Sequence, residues 1–309
     1  LSGNGPLVAV LKNALGRGSN QFIRDVRKYV QHHETGGKRI PMHHVIIFDE
    51  AQRAWDKGKG ERRHKGSVIG SEPDMFIGMA NRIPDWGAVV GLIGTGQEIH
   101  DGEESGLQQW VDAIVNTDAM DNWDIHAPPG IIEQLEIGPI QSYSEPLLTL
   151  NATIRTHFGE MLHHWVDGVL GHVETPYEDL TDLYGQLKQS GFKIYYTSNL
   201  RKAKMYLWNR YEKSPDARYG MICSSRDKSL GGYGMKTLSW PKTLNYGRWY
   251  NESQDHADSC CALDLAVTEF DSQGLELDCT LVGWGNDFII QNGKWNNDGA
   301  KRYAYTSDI

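Results

Sequence analysis

Residues 45–52 read Val-Ile-Ile-Phe-Asp-Glu-Ala-Gln, and this stretch constrains the fold more than any other. Its apolar run is rich in β-branched side chains and predicts a strand buried on both faces of a parallel sheet. Ligands of such sheets bind outside the carboxyl ends of the strands, where Asp49 and Glu50 would lie. Paired carboxylates there suit nucleotide hydrolysis, because one can hold Mg²⁺, often through water, and the other can orient the attacking water. The alternative is a strand that simply ends in two solvated acids.

The composition is that of an ordinary globular chain and argues against several other classes. The 309 residues are 39% hydrophobic and 23% charged, and no apolar stretch approaches the roughly 20 residues that span a bilayer. No signal peptide is visible in residues 1–20, and the four cysteines show no CxxC spacing, so we expect a cytoplasmic protein with reduced thiols. The net charge of −9 argues against a general electrostatic coat for nucleic acid, although it leaves room for a local basic groove.

Two blocks of alternating strands and helices predict two α/β domains with mostly parallel sheets. We place the first domain at residues 1–146 and the second at 147–309, with an irregular Gly-, Trp- and Tyr-rich insertion near 228–260. The expected strands are 45–48, 88–93, 147–150, 192–197, 218–223 and 279–284. The expected helices are 5–16, 20–33, 73–83, 104–117, 155–171, 176–190 and 198–213.

Two further motifs follow predicted strands. Gly94-Thr95-Gly96-Gln97 follows the strand that ends near Ile93, and a glutamine there can hydrogen-bond a γ-phosphate or a catalytic water. The alternative is an ordinary glycine-rich turn. Arg155 follows the predicted strand at 147–150 and could reach the terminal phosphates of a nucleotide, or it could form a surface salt bridge at a helix start.

The segment from Thr268 to Asp278 precedes another apolar strand. Gln273-Gly274 permits a close backbone approach to a ligand, and Glu276 is placed to accept hydrogen bonds from ribose hydroxyls or from a neighbouring donor. If the segment stood alone, it would be interpreted as an acidic connection between a helix and a strand.

Several aromatic and histidine residues are open to more than one interpretation. The aromatics of the insertion could stack on bases, but packing of the insertion is the favoured interpretation; they are Trp240, Tyr246, Trp249 and Tyr250. The adjacent histidine pairs do not indicate a metal site, because neighbouring side chains point apart on strands and helices; they are His32-His33, His43-His44 and His163-His164.

In this order and at these intervals, the motifs resemble those of superfamily-one helicases. More narrowly, the chain resembles the helicase-like P-loop ATPases of the Schlafen group, a bacterial family catalogued as domain of unknown function 2075. The resemblance covers nearly the whole chain, and its first and last stretches are the most specific. It rests on Leu1-Ser2-Gly3-Asn4-Gly5-Pro6-Leu7-Val8, on Asp49-Glu50-Ala51-Gln52-Arg53-Ala54-Trp55, on Gly96-Gln97-Glu98-Ile99 with Gly102-Glu103, and on Thr268 through Asp278.

The resemblance implies two RecA-like P-loop NTPase domains, with ATP and Mg²⁺ in the cleft and single-stranded DNA or RNA as partner. It implies that Asp49 holds Mg²⁺, that Glu50 activates water, and that Gln52 belongs to the same nucleotide-binding motif. It implies that Gln97 couples the γ-phosphate to the nucleic acid and that Arg155 senses the phosphates. It also implies that Gln273, Gly274 and Glu276 close the cleft against phosphate or ribose, and that Asn4 and Pro6 lie near the single strand.

One motif of the family is missing from these 309 residues. No Gly-x-x-x-x-Gly-Lys-Ser/Thr phosphate loop occurs, and in the family this loop lies just upstream of the segment that matches Leu1. We therefore expect a fragment in which the first RecA-like domain is incomplete, and which by itself binds ATP poorly and hydrolyses hardly any of it. The expected function of the intact parent is that of an ATP-dependent helicase or translocase-like ATPase; the alternative is an ATP-switched interaction or defence protein that does not unwind nucleic acid.

Overall fold

The computed structural model describes residues 1–35, 37–58, 70–94, 106–149, 159–171, 175–237 and 244–300. The chain forms two compact units. Unit 1 comprises Leu1–Val8 and Leu15–Asn151, and unit 2 comprises Ala9–Ala14 and Ala152–Ile309. Both units are mixed α/β, and their sheets are small and mostly parallel.

The described helices and strands follow one another along the chain as short elements. The helices are α1 (Gly5–Leu15), α2 (Val26–Glu34), α3 (Glu72–Ala80), α4 (Gln108–Val115), α5 (Pro129–Ile132), α6 (Gly159–Leu170), α7 (Tyr177–Gln189), α8 (Leu200–Tyr211), α9 (Tyr246–Asn251) and α10 (Glu269–Ser272). The strands are β1 (Val45–Phe48), β2 (Ala88–Gly91), β3 (Asp124–Ala127), β4 (Gln141–Ser144), β5 (Tyr219–Cys223), β6 (Ala266–Thr268), β7 (Cys279–Gly283), β8 (Ile289–Gln291) and β9 (Lys294–Asn296).

The sheet of unit 1 that carries the acidic motif pairs β1 with β2 in parallel, from Val45 opposite Ala88 to Phe48 opposite Gly91. The extended start of the chain runs beside β1, where Asp49 N donates to the carbonyl of Leu1 (2.9 Å). Ser2 forms parallel bridges on both sides, to Asp49 and to Asp25. The end of β1 therefore lies between β2 and the first residues of the chain.

Strand β1 has one buried and one exposed face. Ile46 and Phe48 are each 3% exposed and pack against α2 and α3 through Val30 and Phe76, among others. Val45 and Ile47 are 45% and 50% exposed. The prediction that this strand is buried on both faces is therefore wrong, because alternate side chains of a strand point to opposite faces and only one face is buried here.

The helices that pack on β1 begin at capping residues. Asp25 Oδ1 accepts a hydrogen bond from Lys28 N at the start of α2 (3.1 Å). Ser71 and Asp74 form a reciprocal capping box at the start of α3, with Pro73 in its first turn. Such caps satisfy backbone N–H groups that have no partner within the helix.

The sheet of unit 2 has three parallel strands in the order β6-β5-β7. Its core surrounds β5, where Met221 is fully buried, and extends to Val267 on β6 and to Trp249 on α9. Four of the five residues of β5 are buried, and Ile222 is partly buried, as fits a central strand of a parallel sheet.

Two predicted strands are absent from the described residues. Pro146–Leu148 forms a single 3-10 turn instead of a strand, and a proline that cannot donate to a ladder disfavours a strand at this point. Residues 192–197 have no regular structure, and Tyr196 is fully exposed. The pattern also failed to predict the parallel pair β3–β4, the hairpin β8–β9 and helix α9 inside the insertion.

No helix among the described residues is long and apolar enough to cross a membrane.

Candidate functional site

Asp49 lies directly after β1 and is half-buried. Its Oδ2 accepts a hydrogen bond from the hydroxyl of Ser2 (3.1 Å). The same hydroxyl oxygen accepts a hydrogen bond from the backbone N–H of Asn4 (3.2 Å). Ser2 therefore connects the first acidic residue to the start of α1, while the carboxylate of Asp49 keeps acceptor capacity for another group.

Glu50 follows in a left-handed backbone conformation, with φ of +59°. Its Oε2 accepts a hydrogen bond from Nε2 of Gln52 (2.6 Å). The other end of the same amide, Oε1 of Gln52, accepts a hydrogen bond from Gly94 N (3.2 Å). One side chain thus connects the second acidic residue to the segment that follows β2.

The backbone of the acidic turn is held by residues of the neighbouring elements. Ala51 N donates to the carbonyl of Leu92 (2.7 Å), and Trp110 Nε1 donates to the carbonyl of Ala51 (2.9 Å). A β-carbon added to Gly91 would lie 3.0 Å from the β-carbon of Ala51, so this close approach favours glycine. The position of the two carboxylates is therefore fixed by β2 and α4 as well as by β1.

The donor set at this turn suits a partial magnesium site. Among the described residues, no group of three or more His, Cys, Asp or Glu side chains could hold a metal ion. Mg²⁺ is commonly bound through one or two carboxylates together with waters and substrate phosphates, and rarely by an all-protein cage. Asp49 therefore fits the protein side of such a site, with Glu50 beside it and the remaining ligands supplied by water and substrate.

Asn4 and Pro6 lie at the start of α1. Asn4 Oδ1 accepts a hydrogen bond from Leu7 N (3.1 Å), and Pro6 occupies the first turn, where its missing N–H costs nothing. Both residues thus have a clear role in starting the helix. The implied proximity of these residues to a nucleic-acid strand stays a prediction.

Gln97 and Arg155 lie outside the described residues. The roles implied for them, coupling to the γ-phosphate and phosphate sensing, therefore stay predictions.

In unit 2, the segment after β6 begins with a buried capping box. The hydroxyl of Thr268 donates to Oδ2 of Asp271 (2.7 Å), and the hydroxyl of Tyr246 donates to Oδ1 of the same carboxylate (2.7 Å). Burial, and next the hydrogen bond to Asp271, raise the pKa of Tyr246 above its usual value, because both favour the neutral phenol. The short helix α10 is thereby fixed between β6 and α9.

The three predicted ligand-contacting residues of unit 2 follow this helix. Gln273 is half-buried, and Gly274 has a φ of +78°, a left-handed conformation that favours glycine. Glu276 is exposed, and its backbone carbonyl accepts a hydrogen bond from the hydroxyl of Tyr250 (2.7 Å). The structure therefore brings these three residues together in one tight loop before β7, and their role toward phosphate or ribose stays a prediction.

Several residues of these turns were missed by sequence reasoning. The Thr-x-x-Asp spacing of Thr268 and Asp271 is a recognisable capping pattern and could have been found. The contact between Ser2 and Asp49 spans 47 positions, and no local pattern predicts it. Among the insertion aromatics, Trp249 is 2% exposed, as expected for packing, and Trp240 lies outside the described residues.

These observations define a mixed α/β protein with small, mostly parallel sheets, which carries two neighbouring carboxylates at the carboxyl end of a strand. The family model described as Schlafen group 3, DNA/RNA helicase domain, matches residues 1–307. The chain belongs to this family, which confirms the resemblance noted from its motifs. No curated protein and no solved structure matches the chain. Membership suggests a helicase-like function with use of a nucleotide and binding of nucleic acid.

Proposed function

We propose that this chain is part of an ATP-dependent helicase or translocase-like ATPase that acts on single-stranded DNA or RNA. The observation that carries the proposal is the acidic turn after β1. There Asp49 and Glu50 follow a parallel strand, and Gln52 connects Glu50 to the segment after β2. Membership of a helicase-domain family supports the same function.

In this proposal the two acids have separate tasks. Asp49 would hold Mg²⁺ through water, and the ion, when bound, would supply neutralisation of the phosphate charge. Glu50 would accept a hydrogen bond from the attacking water and orient it toward the γ-phosphate. Gln52 fixes the rotamer of Glu50, because its amide donates to the carboxylate while its oxygen is held by Gly94 N.

The remaining motif residues complete the proposal. Gln97 couples the state of the γ-phosphate to the nucleic-acid path, and Arg155 senses the phosphates. Asn4 and Pro6 lie near the single strand. Contact with phosphate or ribose is proposed for Gln273, Gly274 and Glu276.

The test is ATP turnover of a protein that contains this chain together with a phosphate loop, with and without single-stranded DNA or RNA. Single strands are expected to stimulate turnover. Glu50→Gln is expected to lower turnover by about 10²–10⁴-fold, the usual contribution of a positioned acid or base, while ATP binding is kept. Glu212→Gln changes an exposed glutamate of unit 2 in the same way and serves as the matched control. Full turnover by Glu50→Gln would contradict the assigned role.

A second candidate is an ATP-switched interaction or defence protein that has a helicase-like fold but does not unwind nucleic acid. The net charge of −9 favours it, because phosphate-binding surfaces are usually basic. The same experiment separates the two candidates. Turnover that requires Glu50 but does not respond to single strands would favour the interaction protein.

A further inference from the structure

A small cavity of unit 1 is lined by basic side chains and lies away from the acidic turn in sequence. Its volume is about 100 Å³, and its walls come from α2, from the residues just before it and from the segment that leads to β1. The basic residues among those that line it are Arg24, Arg39, His32, His33 and His43. No aspartate or glutamate is among the lining residues. This concentration of basic side chains, two of them arginines, stands out in a chain whose net charge is −9.

The two arginines of the cavity are held in place but not neutralised. Arg24 Nε donates to the carbonyl of Asn20 (3.1 Å), and its guanidinium lies 5.7 Å from the ring centroid of Tyr29. Arg39 Nη1 donates to Nδ1 of His32 (2.9 Å). Within the described part of the chain, neither guanidinium forms an ion pair with a carboxylate. Most of their five donors each are therefore available to an anion.

One histidine of this cluster is buried, and the hydrogen-bonding capacity of its ring is only partly used. His33 is 5% exposed, and its Nδ1 has no hydrogen-bond partner among the described residues. Burial lowers the pKa of His33, and a hydrogen bond with the backbone of Arg39 opposes part of this shift. The neighbouring side chains of His32, Arg24 and Arg82 lower the pKa further. A site with unpaired guanidinium groups and an electropositive surround is suited to an oxyanion.

The cavity adjoins a larger groove. This groove has a volume of about 560 Å³ and shares four lining residues with the cavity, which are Arg24, Tyr29, Met42 and His43. It is also lined by Phe22 and by the exposed face of β1 at Val45 and Ile47. A phosphate group in the cavity could therefore belong to a larger molecule whose apolar part lies in the groove.

We propose that the cavity between Arg24, Arg39 and His33 is an anion site that binds a phosphate group, either free phosphate or a phosphodiester of a single-stranded nucleic acid. The guanidinium of Arg39 accounts for much of the affinity, because arginine binds phosphate with two parallel hydrogen bonds. The proposal does not depend on Asp49 or Glu50, so an experiment can contradict it without contradicting the proposed ATPase function, and the reverse also holds.

The test compares Arg39→Gln with Lys28→Gln in the 309-residue chain. Lys28 lies exposed on α2, outside the cavity, and only its backbone N–H takes part in the cap at Asp25. Its substitution therefore removes the same charge from a solvated position. Circular dichroism checks that both variants are folded. Arg39→Lys, which keeps the charge but loses the planar fork, is a second variant with an expected intermediate affinity.

Two probes identify the source of the phosphate group. Calorimetry measures binding of inorganic phosphate, and fluorescence anisotropy measures binding of a labelled single-stranded 12-mer of DNA or RNA. Arg39→Gln is expected to weaken binding of one probe at least tenfold, and Lys28→Gln less than twofold. A tenfold loss for phosphate assigns the site to the free anion, and a loss confined to the oligonucleotide assigns it to the nucleic-acid backbone. If both variants behave alike, or if the wild-type chain binds neither probe, the proposal is overturned.

Discussion

The acidic turn of unit 1 and the acidic turn of unit 2 hold their carboxylates in opposite ways. After β1, Asp49 and Glu50 each accept one side-chain hydrogen bond from a described residue, Ser2 and Gln52 respectively, and both remain partly exposed. After β6, Asp271 is 2% exposed and accepts hydrogen bonds from the backbone and hydroxyl of Thr268 and from Tyr246. The two turns look alike in sequence, since each follows an apolar strand.

The difference separates acids that can do chemistry from acids that hold the fold. A carboxylate whose acceptor positions are filled by buried donors has little left to offer a metal ion or a water. A half-buried carboxylate with one described side-chain partner keeps that capacity, and its removal costs the fold little. The comparison therefore supports the proposal that Asp49 and Glu50 take part in chemistry, whereas Asp271 holds the fold in place. Substitutions at the two turns should differ most in their effect on stability.

The largest difference is expected between Asp271→Ala and Asp49→Ala. Asp271→Ala removes a helix cap and leaves the buried donors of Thr268 and the half-buried hydroxyl of Tyr246 without an acceptor. The free energy of unfolding should therefore fall by about 3 kcal/mol. Asp49→Ala removes one partly exposed hydrogen bond and should cost less than about 1 kcal/mol. Urea denaturation followed by circular dichroism measures both.

Asp216→Ala provides the control for this pair. Asp216 is an exposed aspartate of unit 2, and its substitution should leave the denaturation midpoint unchanged. Equal losses at Asp49 and Asp271 would show that the acidic turn of unit 1 is also structural, and the distinction between the two turns would then be lost.

The sequence predicted the strand that leads to the acidic turn of unit 1 better than it predicted the contacts that hold the carboxylates at the two turns. The run of 45–48 identified β1, and the carboxyl end of that strand carries the two acids as expected. Its exposed face at Val45 and Ile47 was not predicted, because an apolar run alone does not show which faces other elements cover. The contacts Ser2–Asp49 and Tyr246–Asp271 join residues 47 and 25 positions apart, and a single sequence carries no signal for such pairs.

A medium effect is expected when the hydroxyl of Tyr246 is removed. Tyr246→Phe deletes a half-buried donor to the carboxylate of Asp271, and hydrogen bonds to charged groups contribute about 1.5–3 kcal/mol. Tyr250→Phe is the matched control, because its hydroxyl donates to the neutral carbonyl of Glu276 and should contribute about 1 kcal/mol. If the denaturation midpoint falls further for Tyr246→Phe than for Tyr250→Phe, the result supports a structural role for the carboxylate of Asp271. The reverse order would show that the carboxylate is not the main acceptor in this network.

The smallest change in stability is expected for Gln52→Ala in unit 1. The substitution removes the amide that connects Glu50 to Gly94, but the turn keeps its backbone hydrogen bond from Ala51 to Leu92, so the cost should stay within about 1 kcal/mol. The amide of Gly94 loses its acceptor and should exchange with solvent faster, which hydrogen exchange measures at this residue. Gln108→Ala removes an amide of α4 that contacts Asp112 and Glu136, and it should leave exchange at Gly94 unchanged. Unchanged exchange in Gln52→Ala would mean that Gln52 does not couple the two strand ends, and the acidic turn would then lack the connection through which hydrolysis could be sensed after β2.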